Sequence, residues 1–257
     1  LVIGVVAFRR TIGEAASAFW CAPSKNIDVI SVTGTNGKTS VTQMFSEAEN
    51  FMGENSAVIG TLGNGFLGCL QKTDNTTPDA LQVQQLLAEF VQKDITVVAM
   101  EASSHGLVQG RLTGTQINIG VVTNISRDHL DYHGSMENYQ QAKANLVQWA
   151  GIHQVVLNAD DEDVMNLSAY ISSDVEIITF TKTHHATAQI SAEDIVYSKG
   201  GVAFILVTPF GREKITSTLV GEFNVSNLLA AAAVLHCQKF DVQQIAGALS
   251  CVSPVLG

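Results

Sequence analysis

The sequence predicts an α/β fold with a mostly parallel sheet and a small antiparallel β annex. Short runs of β-branched and aliphatic residues alternate with stretches in which apolar residues recur at helical spacing. One of these runs passes through a glycine-containing turn directly into a helix. Over residues 189–220 the pattern changes to closely spaced strands separated by glycine turns, which is typical of antiparallel hairpins.

The predicted elements follow one another in a regular alternation. Strands are expected at 27–33, 95–101, 117–124, 154–158 and 175–181, and helices after Gly37, at 81–93, 135–150 and 161–170, and twice more from about residue 224 onward. The hairpins are expected to turn at Gly200–Gly201 and Phe210–Gly211. This alternation of strand and helix favours parallel pairing, because each parallel connection needs a crossover.

The composition excludes several classes of protein. With 257 residues, 46% of them apolar and 15% charged, the chain can bury a substantial core. A net charge of -10 argues against nucleic acid as a partner, because phosphate neutralisation needs clustered Lys and Arg. The apolar start, residues 1–8, is too short to span a membrane and lacks a signal-peptide pattern, and the four cysteines are widely spaced. We therefore expect a cytoplasmic protein with no membrane insertion.

A phosphate-binding loop is predicted at residues 33–40, which read Thr-Gly-Thr-Asn-Gly-Lys-Thr-Ser. Glycine lets backbone N–H groups converge on phosphate, Lys38 supplies a positive charge, and the Thr39 hydroxyl can reach Mg²⁺. Val32 occupies the place of the first glycine of the longer G-x-x-x-x-G-K-[ST] pattern, so the match is to a shorter form. The alternative is a glycine turn that merely starts a helix. The lysine, the hydroxyl and the strand-to-helix context favour a nucleotide site.

Two further positions could bind a metal ion. Glu101 ends an apolar strand at the edge where parallel sheets bind ligands, although an acidic residue there can also be simply solvated. The segment 127–133 holds two histidines and two aspartates after another strand, and the alternative is a polar loop that caps the next helix. The spacing in this segment is not the H-E-x-x-H of zinc proteases. The segment Ser103-Ser104-His105 lacks the G-x-S-x-G turn of serine hydrolases.

Lys143 falls on the apolar face of its predicted helix, with Tyr139, Ala142 and Leu146. A lysine at such a position often extends its apolar stem and keeps its ammonium in water. A desolvated lysine instead has a lowered pKa, and its neutral amine can take up CO₂ as a carbamate. That reaction would turn a cation into a metal-binding anion. Both interpretations remain open on the sequence alone.

Several segments together resemble the Mur ligase family, most closely the branch that makes UDP-N-acetylmuramoyl-tripeptide. The matching segments keep the family's order: Thr-Gly-Thr-Asn-Gly-Lys-Thr at 33–39, Asn-Thr-Thr at 75–77, Met-Glu-Ala-Ser-Ser-His-Gly-Leu-Val-Gln-Gly-Arg at 100–111, Thr-Asn-Ile-Ser-Arg-Asp-His-Leu-Asp-Tyr-His-Gly at 123–134, Tyr-Gln-Gln-Ala-Lys at 139–143 and Gly-Glu-Phe-Asn-Val-Ser-Asn at 221–227.

The resemblance implies a role for each candidate residue. Residues that would cradle the ATP phosphates are Gly34, Thr35, Asn36, Gly37, Lys38, Thr39 and Ser40, and Asn224 would contact the base or ribose. Thr39 and Glu101 would bind one Mg²⁺, while Glu101, His129 and carbamylated Lys143 would hold another. The residues expected to be catalytic are Lys38, Glu101, His129 and Lys143. Residues that would contact the UDP-muramoyl-dipeptide are Asn75, Thr76, Thr77, Ser103, Gln109 and Arg111.

The resemblance also implies an activity and a domain arrangement. An ATP-dependent ligase would add a free amino acid, diaminopimelate or lysine, to the dipeptide through an acyl phosphate, acting as a monomer. Residues 1–26 would be the tail of an N-terminal UDP-binding domain, 27–257 the central ATP-binding domain, and the amino-acid-selecting C-terminal domain would be absent. The alternatives are a related ligase such as a folylpolyglutamate synthase, a P-loop kinase or NTPase, or a chain that by itself only binds ATP.

Overall fold

The computed structural model describes residues 8–183 and 187–254, so parts of the expected segments 1–26 and 27–257 lie outside the described residues. The strands are β1 Asp28–Thr33, β2 Ser56–Gly60, β3 Gly63–Phe66, β4 Cys69–Gln71, β5 Val97–Glu101, β6 Ile119–Val122, β7 Gln154–Asn158, β8 Glu176–Thr181, β9 Ile190–Ser198, β10 Gly201–Thr208 and β11 Gly211–Ser217. The helices are α1 Phe8–Phe19, α2 Lys38–Phe51, α3 Ala80–Gln92, α4 Ser104–Val108, α5 Leu130–His133, α6 Met136–Val147, α7 Glu162–Asn166, α8 Phe223–Cys237 and α9 Val242–Ser250.

All of these strands form one sheet, in the order β11-β10-β9-β8-β7-β6-β1-β5-β2-β3-β4. The central strand β1 pairs in parallel with β5 on one side and β6 on the other. Val32 lies opposite Glu101, and Thr33 lies opposite Val122, so the carboxyl ends of the three strands meet at one edge. The predicted mostly parallel α/β fold is confirmed, and this edge is where such sheets bind ligands.

The predicted antiparallel hairpins are confirmed, and they form the annex at one edge of the sheet. Strands β9, β10 and β11 pair antiparallel, with turns at the predicted positions. Strand β9 also pairs in parallel with β8, where Phe180 lies opposite Ile190, so the hairpins continue the main sheet. At the other edge β2, β3 and β4 form a second antiparallel extension that the sequence analysis did not predict.

Two hydrophobic clusters cover the two faces of the sheet. One joins α2, α8 and α9 to the sheet and includes Val41, Phe45 and most of α8. The other joins α3 and α6 and includes Leu87 and Leu146. Strand β1 is buried at every position after Asp28, because both of its faces are covered. Near-continuous apolar runs of this kind are expected for strands between two helical layers.

Local signals fix the ends of the helices near the site. The side chain of Asp79 accepts a hydrogen bond from the Gln82 N–H and begins α3, and the side chain of Ser135 caps α6 in the same way through Asn138. The predicted helix at 161–170 divides into α7 and a 3₁₀ turn at Leu167–Tyr170. Helix α1 packs against α3. Over the described ranges, the model contains no helix with the length and apolar character needed to cross a membrane.

Candidate active site

The phosphate loop lies between β1 and α2 and is pressed closely against the end of β6 and against α8. Gly34 and Gly37 have positive φ angles of 151° and 86°. A Cβ atom on Gly34 would lie 1.9 Å from the Thr123 Oγ1, and one on Gly37 would lie 2.6 Å from the Asn227 Oδ1. Both glycines are therefore required by backbone conformation and by space. The loop leaves room only for backbone at these two points.

Hydrogen bonds from the segment after β6 hold the loop in shape. The Thr35 N–H donates to the Asn124 carbonyl oxygen at 2.9 Å, and the Asn36 N–H donates to the Asn124 Oδ1 at 2.9 Å. The Thr123 hydroxyl donates to the Asn36 carbonyl oxygen at 2.6 Å. The hydroxyls of Thr35 and Tyr139 are also 3.0 Å apart. The backbone N–H groups of Thr35 and Asn36 are thus engaged in hydrogen bonds that shape the loop.

Helix α2 begins immediately after the loop and directs its N-terminus at the same edge. The first intrahelical bond runs from the Val41 N–H to the Gly37 carbonyl oxygen at 2.8 Å. The N–H groups of Lys38, Thr39 and Ser40 precede that bond, in the turn where helix N–H groups lack a helical acceptor. The helix dipole adds partial positive charge there. These features suit an anionic ligand such as a phosphate.

Lys38 folds back over the loop. Its Nζ donates to the carbonyl oxygens of Gly34 at 2.9 Å and Thr35 at 3.0 Å. Burial lowers the pKa of Lys38, while the nearby carboxylates of Glu101 and Asp128 act in the opposite direction. The ammonium is therefore held within the loop, where a bound phosphate could replace the carbonyl contacts.

Glu101 lies beside the first turn of α2 and is only 1% exposed. Its Oε2 accepts hydrogen bonds from the hydroxyls of Thr39 and Thr61, each at 3.0 Å, and its Oε1 accepts from the Thr61 N–H at 2.8 Å. Burial raises the pKa of Glu101, and these hydrogen bonds and Lys38 oppose that shift. A Cβ on Gly60 would lie 2.2 Å from the Oε1, so the carboxylate is also held by shape. Adjacent hydroxyl and carboxylate oxygens are the donors that Mg²⁺ prefers.

A cavity of about 230 Å³ opens next to the loop. Lys38, His129 and Lys143 line it together, although they come from α2, the start of α5 and α6. The cavity therefore brings together three of the four residues expected to be catalytic. Four of the six residues expected to contact the dipeptide line the same cavity: Asn75, Thr76, Ser103 and Arg111.

Lys143 is buried, with 1% of its surface exposed. Its Nζ lies 4.4 Å from the centre of the Tyr139 ring. Burial lowers its pKa well below the usual value, the charge of Lys38 lowers it further, and Asp128 opposes the shift. Burial to this degree contradicts the interpretation in which the ammonium stays in bulk water. The amine instead faces the cavity, in surroundings that favour its neutral form.

His129 lies at the mouth of the cavity, with half of its side chain exposed. Its Nε2 is 3.5 Å from the Asp128 Oδ2, and its ring centre is 5.0 Å from that of His105. In the ranges 8–183 and 187–254, no three His, Cys, Asp or Glu side chains converge to hold a metal. The expected second Mg²⁺ therefore depends on Lys143 becoming an anion.

Thr77 and Gln109, the other two residues expected to contact the dipeptide, form a hydrogen-bonded group with Arg111. The Arg111 guanidinium donates to the Thr77 carbonyl oxygen at 2.6 Å and to the Gln109 Oε1 at 2.9 Å. Thr77 itself is fully buried, and its hydroxyl lies 2.8 Å from the Glu101 carbonyl oxygen and 3.0 Å from the Ser103 hydroxyl. This group fixes the direction of Arg111 and links it to the strand that carries Glu101.

Asn224 does not line the cavity. It is buried in the first turn of α8, where its Nδ2 donates to the Val220 carbonyl oxygen at 2.9 Å and its Oδ1 accepts from the Asn227 Nδ2 at 3.4 Å. Asn227 in turn lies against Gly37. Asn224 is thus connected to the phosphate loop through Asn227.

Three residues of this arrangement were not singled out from the sequence. Thr61 follows β2, a strand the pattern analysis missed, although the apolar run before Gly60 could have indicated it. Asn124 lies two residues after the end of β6, at the same sheet edge as Glu101. Asn227 is three residues after Asn224, which is one helical turn and the same helix face.

Comparison with known proteins agrees with this geometry. The family model described as the Mur ligase middle domain matches residues 32–235. The chain belongs to the Mur ligase family. The resemblance found in the sequence is therefore confirmed.

Individual Mur ligases match the chain over most of its length. UDP-N-acetylmuramoyl-L-alanyl-D-glutamate–2,6-diaminopimelate ligase from Pseudomonas aeruginosa is 44% identical over 91% of this chain and 48% of its own length. A solved structure of a ligase of the same name has a TM-score of 0.90 at 36% identity, covering 100% of this chain and 54% of that one. Folylpolyglutamate synthase from Mycobacterium tuberculosis, with a TM-score of 0.76 at 17% identity over 95% of this chain and 63% of that chain, shares the fold alone. The chain spans about half the length of the curated relatives it matches.

Proposed function

We propose that this chain is the catalytic centre of a ligase that uses ATP to add the third amino acid to UDP-N-acetylmuramoyl-L-alanyl-D-glutamate. One observation carries the proposal. The phosphate loop with Lys38, the carboxylate of Glu101 and the buried amine of Lys143 converge at one edge of the sheet, beside a cavity that Arg111 also lines. A phosphate donor and a carboxylate substrate can meet there. The Pseudomonas aeruginosa ligase is named for this dipeptide and for diaminopimelate, which we propose as the third residue.

The proposed reaction has two steps. The terminal carboxylate of the dipeptide attacks the γ-phosphate of ATP, which gives an acyl phosphate and ADP. The amine of the incoming amino acid then attacks the acyl carbon, and phosphate leaves from the tetrahedral intermediate as the amine loses a proton. Lys38 and the N-terminus of α2 are oriented to stabilise the negative charge on the transferring group. Arg111 would orient the dipeptide.

The residues around Glu101 fit a magnesium ion. Thr39 and Glu101 present adjacent oxygen atoms at the start of α2, and Gly60 leaves the carboxylate just enough space. The chemistry that bound Mg²⁺ supplies is neutralisation of phosphate charge. We propose that Thr39 and Glu101 hold this ion, and that Glu101, His129 and carbamylated Lys143 hold a second one.

The carbamate is proposed from the surroundings of Lys143. Its neutral amine nitrogen would bond to the carbon of CO₂ and release a proton, which leaves an anion in place of the buried amine. After supply of ¹³C-bicarbonate, ¹³C NMR is expected to show a carbamate signal in the wild-type chain. The signal should be absent from Lys143→Met and present in the surface variant Lys199→Met. Equal spectra for wild type and Lys143→Met would contradict this step.

Other parts of the assignment are proposals of the same kind. We propose that Asn75, Thr76, Ser103, Gln109 and Arg111 contact the dipeptide, that Thr77 supports them, and that Asn224 contacts the base or ribose of ATP. We also propose that residues 1–26 end a UDP-binding domain, that 27–257 form the ATP-binding domain, and that an amino-acid-selecting domain completes the enzyme. The whole protein would act in the cytoplasm as a monomer.

The test is ADP release by the full-length protein, given Mg-ATP and the UDP-muramoyl-dipeptide, with and without diaminopimelate or lysine. Turnover that requires the dipeptide and one of the two amines supports the ligase and identifies its third residue. ADP release that depends on neither the dipeptide nor an amine would contradict the proposal and indicate a kinase or NTPase. Turnover with a folate substrate would indicate the folylpolyglutamate synthase type. The isolated chain is expected to bind ATP without turnover.

A further inference from the structure

A second cavity, of about 450 Å³, lies beside the one that contains Lys143. Its walls include Ile12 of α1 and the first residues of α3, Ala80 and Leu81. Asn75 and Arg111 line both cavities, so the two adjoin at these side chains. A ligand that reaches the reaction cavity can therefore extend into the second one.

The second cavity combines a cation with uncovered apolar groups. Arg111 donates to a carbonyl and an amide oxygen, and no carboxylate pairs with it in the part of the chain that the structure describes. Leu81 is apolar yet 53% exposed at the start of its helix. A ligand with a carboxylate for Arg111 and a small apolar group directly beside it would match both features.

Close backbone contact keeps Ile12 at this position. A Cβ on Gly13 would lie 2.1 Å from the Thr113 carbonyl oxygen, and one on Gly114 would lie 2.3 Å from the Gly13 carbonyl oxygen. Backbone atoms cannot turn away as a flexible side chain can, so this approach requires glycine on both sides. Helix α1 is thus fixed against the turn that follows Arg111, and its Ile12 forms a fixed part of the cavity wall.

We propose that this second cavity binds the alanyl residue of the dipeptide, and that Ile12 and Leu81 determine the preference for an apolar side chain there. The inference rests on the proposed function, because the dipeptide is its ligand. The terminal glutamyl carboxylate would lie in the reaction cavity, past Asn75 and Arg111. The alanyl methyl group, which precedes it, would then contact the two apolar side chains.

The test compares the alanyl dipeptide with its glycyl analogue, UDP-N-acetylmuramoyl-glycyl-D-glutamate, in the full-length protein. The wild type is expected to prefer the alanyl substrate about tenfold in kcat/KM, the usual effect of one methyl group in an apolar pocket. Leu81→Ala and Ile12→Ala should bring this ratio close to one by raising KM for the alanyl substrate, with KM for ATP unchanged. Val196→Ala, which shortens another exposed apolar side chain, should keep the wild-type ratio.

The outcomes separate the two proposals. If both variants keep the wild-type preference while the wild type turns over the dipeptide, only the assignment of this cavity is overturned. If the wild type shows no dipeptide-dependent turnover, the proposed function fails and the cavity assignment fails with it. Leu81 lies at the surface, so Leu81→Ala is expected to fold. Gly13→Ala should reproduce the rise in KM by displacing α1, and retained KM in a folded Gly13→Ala would contradict the positioning role of that contact.

Discussion

Replacing Glu49 with glutamine is expected to stabilise the folded chain at pH 8. Glu49 lies in α2 with only 1% of its surface exposed, and its Oε1 has no hydrogen-bond partner. Burial, with a further contribution from the Glu54 carboxylate, raises the pKa of Glu49 from 4.5 to about 7, although Gln238 opposes the shift. At pH 8 the folded chain must therefore hold a charge in a place that disfavours it.

The direction and the size of the effect on stability follow from the raised pKa of Glu49. Between pH 4.5 and about 7 the folded state keeps a proton that the unfolded chain releases, so stability is fully present below pH 4.5 and is lost as the pH rises through 7. Each pKa unit corresponds to about 1.4 kcal/mol, so the cost at pH 8 is roughly 3 kcal/mol. Glu49→Gln should remove most of this cost at pH 8 and change the free energy of unfolding little at pH 4.5.

Urea unfolding followed by tryptophan fluorescence at several values between pH 4.5 and pH 8 measures the effect. Glu89→Gln is the matched control, because that carboxylate lies at a partly exposed position of α3 and accepts a local hydrogen bond from Gln85. All other ionisable groups are the same in the wild type and in both variants, so their contribution cancels in the differences. If Glu49→Gln follows the wild-type pH dependence, the cause assigned to Glu49 is wrong.

Three further predictions concern the candidate site. Gly60→Ala is expected to weaken Mg²⁺ binding at least tenfold, because its Cβ would lie 2.2 Å from the Glu101 Oε1. Mg²⁺ titration in the presence of ATP measures the effect, and Gly247→Ala, where the space for a Cβ is open, is the control. Gly34→Ala should abolish ATP binding and cost more than about 2 kcal/mol of stability, since its Cβ would meet the Thr123 hydroxyl at a positive φ. Calorimetry measures ATP binding and urea unfolding measures stability. A variant with wild-type affinity for ATP would show that this loop does not bind the phosphates. Asn227→Ala should weaken ATP binding severalfold without unfolding the chain, because it removes the contact of α8 with Gly37; an unchanged Kd would show that α8 does not support the loop.

Much of the fold could be predicted because its strands are buried on both faces. β5 ends at Glu101 as expected, and β8 begins within one residue of the expected start. β2 to β4 were missed because the segment is short and its glycines at 60, 63, 65 and 68 give a pattern that is typical of turns. The continuity of the hairpins with the main sheet depends on pairing between β8 and β9, which no local pattern records.

The candidate site also contains residues that local sequence could predict and contacts that it could not. Lys38, Thr39 and Glu101 could be found because they lie at the ends of predicted strands and at the start of a predicted helix. The helix face of Lys143 left two interpretations open, and only the tertiary structure decides for burial. The hydrogen bonds from Thr61 to Glu101 could not be found, because they join residues on two strands whose pairing is set by the tertiary structure. Likewise, nothing local to Asn227 indicates that it touches Gly37.

The contact between Gly37 and Asn227 has a consequence for protein synthesis. The loop is made early, but its supports arrive late: β5 and β6 follow it at a distance, and α8 comes near the end of the chain. Loops that depend on such distant partners form slowly, because the intervening chain must close first. A ribosome-bound chain that ends before residue 227 should therefore lack a complete nucleotide site. The growing polypeptide would reach the end of α8 before it could begin to bind ATP tightly.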